Sequence, residues 1–186
     1  EGGFISDYIG DGDDTQAVSD IDNIIFNNFK RLGINIDDYG IAKNNLINFA
    51  ERTKMAESSG KYKAVNIPES GKKKTTARGA YQFVEGSMLP ALKRLEVRIG
   101  KRDWIDKAKE HKDPIQLTNL QQDALFLGDI MEKRLKEKKG LGDKYIRKIL
   151  KGDVQAMKDL YRIGHHTVGK KGMSRKAKQN MNRWFR

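Results

Sequence analysis

The stretch Leu117-Thr118-Asn119-Leu120-Gln121-Gln122-Asp123-Ala124-Leu125-Phe126-Leu127-Gly128-Asp129-Ile130-Met131-Glu132-Lys133-Arg134-Leu135 decides the fold class. Leu117, Leu120, Ala124, Leu127, Met131 and Leu135 recur at three- and four-residue steps, which aligns them on one face of an α-helix. The stripe spans about five turns, so it predicts a long helix that starts after Asp113-Pro114 and forms the centre of the core.

The same period continues on both sides. From Asp20, the residues Ile21, Ile25, Phe29 and Leu32 share a face, and Gly33 offers a stop. A second helix is predicted from about Ile41 to Ala56, with Ala42, Leu46, Phe49, Ala50 and Ala56 as its apolar stripe. Leu92, Leu95 and Ile99 follow Pro90, which suits a first helical turn. A short helix is predicted near Trp104, and others near Lys144–Leu150 and Val154–Ile163. The last segment aligns Met173, Ala177, Met181 and Trp184 on one face, with Lys and Arg opposite.

Residues 58–78 break this pattern with Ser, Gly, Pro68 and the run Lys72-Lys73-Lys74. Tyr62, Val65 and Ile67 suggest a short strand and Ala80 to Phe83 another, so a small β-hairpin is expected among the helices. The expected fold class is mainly α, with a small β element. The expected organisation is an acidic N-terminal arm over 1–19, a body over 20–167 and a basic amphipathic helix over 168–186.

Composition narrows the function classes. A chain of 186 residues favours one domain, and no run reaches the ~20 apolar residues that cross a bilayer. No signal-peptide pattern stands at Glu1, and the absence of an initiating Met suggests a fragment or a processed piece. There is no cysteine, which removes disulfides, thiolate metal sites and cysteine nucleophiles. The net charge is +12, unevenly placed: residues 1–50 hold nine acids and three bases, and the remainder 34 bases and 16 acids. Such a basic body suits a polyanion such as nucleic acid, anionic lipid or bacterial wall, or simply a solvated surface. Asp11-Gly12-Asp13-Asp14 with Asp22 is spaced like a calcium loop, but Gln16 stands where Gly is required, so an acidic arm is the better account.

Three short elements carry candidate chemistry. Glu57 follows Thr53 by four residues and Ala50 by seven, so it shares the buried side of its helix. A carboxyl held against apolar neighbours loses hydration and its pKa rises, which equips it to donate a proton to a leaving oxygen. Ser58 is placed to orient it. The bland alternative is a surface Glu at a helix end. The second element is Gly79-Ala80-Tyr81-Gln82-Phe83. On a strand Tyr81 and Phe83 point one way and Gln82 the other, giving an amide beside aromatic faces, good material for holding a sugar. An ordinary strand with core aromatics would look the same. The third is Leu160-Tyr161-Arg162-Ile163-Gly164-His165-His166, where a helix ends and Tyr161 becomes a hydrogen-bond donor candidate for Glu57. Adjacent His165 and His166 face different ways on a helix, and His111 is the only other imidazole, so no metal is expected.

In this order, Glu57-Ser58, Gly79-Ala80-Tyr81-Gln82-Phe83 and Tyr161 ahead of a Gly and His resemble the three motifs of the soluble lytic transglycosylases, a lysozyme-like family that includes wall-degrading domains of phage particles. The resemblance covers roughly residues 41–167. The family commonly has Ala-Tyr-Asn-Ala-Gly at the third motif, where this chain reads Leu-Tyr-Arg-Ile-Gly. The resemblance implies a lysozyme-like helical domain with its β-hairpin near the active site. It implies that Glu57 cleaves the glycosidic bond between N-acetylmuramic acid and N-acetylglucosamine in peptidoglycan, with a 1,6-anhydro product and no cofactor. Ser58, Tyr81, Gln82, Phe83, Tyr161 and His165 become the expected substrate-binding residues, and a virion or the bacterial periplasm and cell wall the expected setting.

Glu69 and Glu85 flank the second motif, and either one positioning a water would make a hydrolytic muramidase instead. The rival outside catalysis is a basic structural virion or nucleic-acid-binding protein, with Lys72–Lys74, Lys133 to Lys139 and the Lys170–Arg186 tail as contacts and Trp184 and Phe185 as stacking candidates. Other virion proteins are expected partners of the phage setting. A membrane-surface role for the tail stands beside docking of that helix on the domain.

Overall fold

The computed structural model describes residues 15–65, 76–136, 142–166 and 172–186. The protein is mainly helical, with eight α-helices among the described residues: α1 Thr15–Arg31, α2 Tyr39–Ser58, α3 Glu85–Ile99, α4 Asp103–His111, α5 Asn119–Lys136, α6 Arg147–Leu150, α7 Val154–Tyr161 and α8 Arg175–Trp184. Short 3-10 turns precede α2 and α5, and π-helical turns cover Gly142–Ile146 and Arg162–His166. No described helix is long and apolar enough to cross a membrane.

α5 is the central helix. Gln122, Asp123, Ala124, Leu125, Phe126 and Leu127 are all buried, so it is covered all round rather than on one stripe. It packs against α1, α2 and α3. Its start is fixed by a reciprocal cap, in which the Gln121 amide N–H donates to Thr118 Oγ1 at 3.2 Å and the Thr118 N–H donates to Gln121 Oε1 at 3.1 Å. At Gly128, a Cβ would stand 2.6 Å from Leu95 Cδ1, so the absent side chain is what admits α3.

Several boundaries differ from expectation. α1 begins at Thr15 rather than Asp20, so residues 15–19 belong to the body, and Ala17 is already buried. Residues 1–14, with the acidic calcium-like run, lie outside the described residues. α3 begins at Glu85, so Pro90 is an interior helix residue and not a first-turn one. α8 is part of the body: Met181 and Phe185 are buried, Phe185 stacks on Tyr161 at 4.9 Å, and Arg52 Nη1 donates to the Trp184 carbonyl at 2.7 Å. The apolar face of the tail is therefore spent on α2, and Phe185 is not available to stack a base.

Among the described residues the expected hairpin is not seen, and two isolated antiparallel bridges stand there, Val65 with Arg78 and Arg78 with Phe83. Ala80–Phe83 is a turn, not a strand, because Gly79 and Gln82 both take the left-handed conformation, φ +82° and +52°. Tyr62 lies in a turn, and Ile67, Pro68, Glu69 and Lys72–Lys74 lie outside the described residues.

The turn is held from α5. Gln122 Oε1 accepts the Ala80 N–H at 2.9 Å, and Gln122 Nε2 donates to the Tyr62 carbonyl at 2.9 Å. A Cβ on Gly79 would meet Gln122 Oε1 at 2.6 Å in a backbone conformation that L-residues resist. Gly79→Ala is expected to cost about 2–4 kcal/mol through strain and a displaced Gln122. Urea unfolding measures it, and a wild-type midpoint would show that this close approach does not hold the turn.

Candidate active site

Glu57 occupies the last turn of α2. The helix stops there because Ser59 adopts φ +56° and Gly60 φ +79°, which sends the Ser59 N–H to the Met55 carbonyl and the Gly60 N–H to the Lys54 carbonyl. Glu57 is half-buried and lines a cleft of about 510 Å³. One wall is small and apolar, with Ala56, Ala64, Val65, Ala77 and Val84. Gln82 and Tyr161 lie along the same cleft, and the first turns of α8 supply Ser174, Lys176, Ala177 and Asn180.

The structure brings Tyr161 to Glu57 across 104 positions of sequence. Tyr161 Oη donates to Glu57 Oε1 at 2.8 Å. Burial, with the Glu57 charge adding to it, pushes the Tyr161 phenol far above its ordinary pKa, so it remains a donor over the working pH range. Behind it, Phe185 stacks on the ring and itself meets Phe49 edge-on at 6.3 Å. Gln82 also reaches the cleft. Its left-handed backbone is held by a bond from its own Nε2 to the Gly79 carbonyl at 2.9 Å.

The other expected site residues lie elsewhere. Ser58 does not orient Glu57. Its hydroxyl bonds the Ala80 carbonyl at 2.8 Å and the Lys54 carbonyl at 3.2 Å, which clips the end of α2 to the 79–83 turn. Tyr81 does not face the cleft: it is 1% exposed and stacks on Phe126 at 4.3 Å, because a turn and not a strand carries it. Phe83 is partly buried against the core. The His165 backbone belongs to the π-helical turn, and its side chain lies outside the described residues. Glu85 opens α3 on the surface, next to Val84 of the cleft, while Glu69 lies outside the described residues. Among the described residues, no group of three or more His, Asp or Glu is placed to hold a metal ion.

A charged network absent from the sequence expectations lies beneath the site. Asp123 is fully buried on α5. Its Oδ1 accepts Tyr81 Oη at 2.7 Å and Tyr62 Oη at 2.9 Å. Lys54, 1% exposed, donates to Tyr62 Oη at 2.6 Å, lies 3.6 Å from Asp123 and pairs with Glu51 at 2.7 Å. The sequence signal was available: Lys54 and Asp123 are charges next to core positions of two predicted helices.

Burial pushes Asp123 up to about 6, against the opposing pull of Lys54 and the two phenols. A carboxyl whose native value exceeds its unfolded value holds its proton more tightly when folded. Raising the pH from about 4 to about 6 therefore removes stability, by up to about 1.4 kcal/mol per unit. Asp123→Asn has no such titration, so the wild type is expected to lose stability relative to that variant across this window. Urea melts at pH 4, 5, 6 and 7 measure it; parallel pH profiles would contradict the assignment. Separately, Phe185→Ala is expected to cost about 3 kcal/mol and Phe185→Leu much less. Unchanged unfolding of the Ala variant would mean that α8 is not docked.

No protein-family model matches the chain, and neither a curated protein nor a solved structure matches it.

Proposed function

We propose that the protein is a peptidoglycan lytic transglycosylase built on a lysozyme-like helical domain, cutting bacterial wall locally as part of a phage particle. The observation that carries this reading is the setting of Glu57. Among the described residues lining the cleft it is the only carboxylate, and a buried phenol bonds it at 2.8 Å. A two-carboxylate glycosidase needs its second acid about 5–9.5 Å away, whereas one acid suffices when the substrate supplies its own nucleophile.

The proposed chemistry starts from protonated Glu57, and with Tyr161 donating to Oε1 that proton belongs on the other carboxyl oxygen. That proton passes to the glycosidic oxygen between N-acetylmuramic acid and N-acetylglucosamine as the C1–O bond breaks. The carboxylate left behind then takes the proton of the muramic C6 hydroxyl as this oxygen bonds to C1. The products are a 1,6-anhydromuramic end and a free N-acetylglucosamine hydroxyl. No water is consumed, and Glu57 ends protonated as it began. The apolar wall of the cleft supports the C–H face of a sugar ring, while Gln82 and Asn180 suit its hydroxyl and acetamido groups.

The experiment is digestion of purified sacculi with mass analysis of the reducing ends. Anhydro ends are expected from the wild type, a loss of at least about a hundred-fold from Glu57→Gln, and a smaller loss, mainly in kcat, from Tyr161→Phe. Hydrated ends would make the enzyme a muramidase, and the absence of any product would overturn the enzymatic reading.

A further inference from the structure

A second cavity, of about 630 Å³, opens between the first turn of α1, the face of α4 and the start of α5. It shares no lining residue with the Glu57 cleft. One buried carboxylate orders it. Asp20 of α1 is 0% exposed and accepts three hydrogen bonds, from Arg102 Nε at 2.9 Å, from Trp104 Nε1 at 2.9 Å and from Gln16 Nε2 at 3.0 Å. All three donors line the cavity. A carboxylate removed from water must be met by donors, so Asp20 holds these side chains in place before any ligand arrives.

The groups left for a ligand are of three kinds. Trp104 is anchored by its Nε1 edge and stays partly exposed, so ring surface remains for the cavity. Lys101 ahead of α4, with Lys107 and His111 one turn apart on it, adds exposed nitrogen groups. None of the three makes an ion pair with a described residue. Gln116 and Gln121 bring amides from the facing wall, and the buried Ala108 and Leu117 give an apolar floor. Asp103 is the one carboxylate among the described lining residues.

An aromatic ring, amides and cations around one cavity match the three parts of a nucleotide: a flat base, its hydrogen-bonding edge and its phosphate. A neutral sugar would leave both ammonium groups without a counterpart. A bare anion would leave the ring and the amides unused. The volume lies within the range of small-molecule sites. We infer that this cavity binds a nucleoside phosphate, either free or as one nucleotide of a single strand. The base lies on Trp104, the phosphate meets Lys101 and Lys107, and Asp103 faces the sugar hydroxyls. The site does not depend on the chemistry proposed for Glu57.

The test titrates the full chain with adenosine 5′-monophosphate, adenosine, inorganic phosphate and single-stranded octadeoxyadenylate, following tryptophan emission and heat. The monophosphate is expected to quench emission and to bind at least about ten-fold tighter than adenosine or phosphate alone. The octamer arm assigns the source: binding about ten-fold tighter than the monophosphate, and displaced by it, means a strand, whereas no gain over the monophosphate means a free nucleotide. Lys107→Met is expected to weaken the monophosphate about three- to five-fold at low salt and to leave adenosine within about two-fold. Trp104→Leu should weaken it at least about five-fold. Trp104→Phe, which leaves Trp184 as the sole tryptophan, should keep most of the affinity and lose the quench. Lys148→Met removes the same charge from α6, outside the cavity lining, and should change nothing. Lys107 is exposed, so its Met variant should melt like the wild type. No binding of the monophosphate, binding no tighter than phosphate, or equal weakening by Lys148→Met and Lys107→Met overturns the inference. Digestion of sacculi by Lys107→Met should match the wild type, so failure here leaves the wall-cutting reading standing, and the reverse holds.

Discussion

A carboxylate buried on the central helix governs how this protein is assembled. Asp123 has no access to water, so its charge must be met from the surrounding elements. The partners come from three separate places: Lys54 of α2, Tyr62 of the following turn and Tyr81 of the 79–83 turn. Meeting that one requirement registers α2 and both turns against α5. Gln122, the residue before it, does the same for the backbone of the two turns. The elements so registered are those that border Glu57 and Gln82. The elements bordering the cleft are therefore joined by a polar network whose members lie outside its lining.

The second support is α8. It closes the cleft on one side and, through Phe185, braces the ring of Tyr161 from behind. A single docking event thus completes the wall and steadies the donor that meets Glu57. The cleft ends with two chemically distinct walls, one of alanines and valines and one of polar side chains with an ammonium. The proposed glycan reading draws on this division, since a saccharide likewise has a C–H face and a polar edge.

The helices were readable because burial imposes a period on them. Leu46, Phe49 and Ala50 of α2 and Leu120, Ala124, Leu127 and Met131 of α5 are all buried where their spacing placed them. Misreadings arose where period carries little information. Ala80 to Phe83 alternates in the manner of a strand, yet two left-handed residues fold it into a turn, and this moved Tyr81 from the expected groove into the core. Pro90 suggested a first turn, but nothing local announced that α3 had begun at Glu85. Lys54 and Asp123 stood out only as charges beside core positions; that they meet each other and the two tyrosines did not, because the contacts join distant segments, Tyr62 and Asp123 being 61 positions apart.

Local order alone was enough to establish a mainly helical chain, the helix carrying Glu57, and Tyr161 at the end of another, because hydrophobic spacing and helix-end signals act over a few residues. That Tyr161 lies 2.8 Å from Glu57, that Ser58 serves the backbone instead of the carboxyl, and that α8 contributes Lys176 and Asn180 to the cleft were decided by tertiary packing. Those relations depend on how buried charges and rings find partners across the whole chain, and no short-range pattern encodes a distance between segments so far apart.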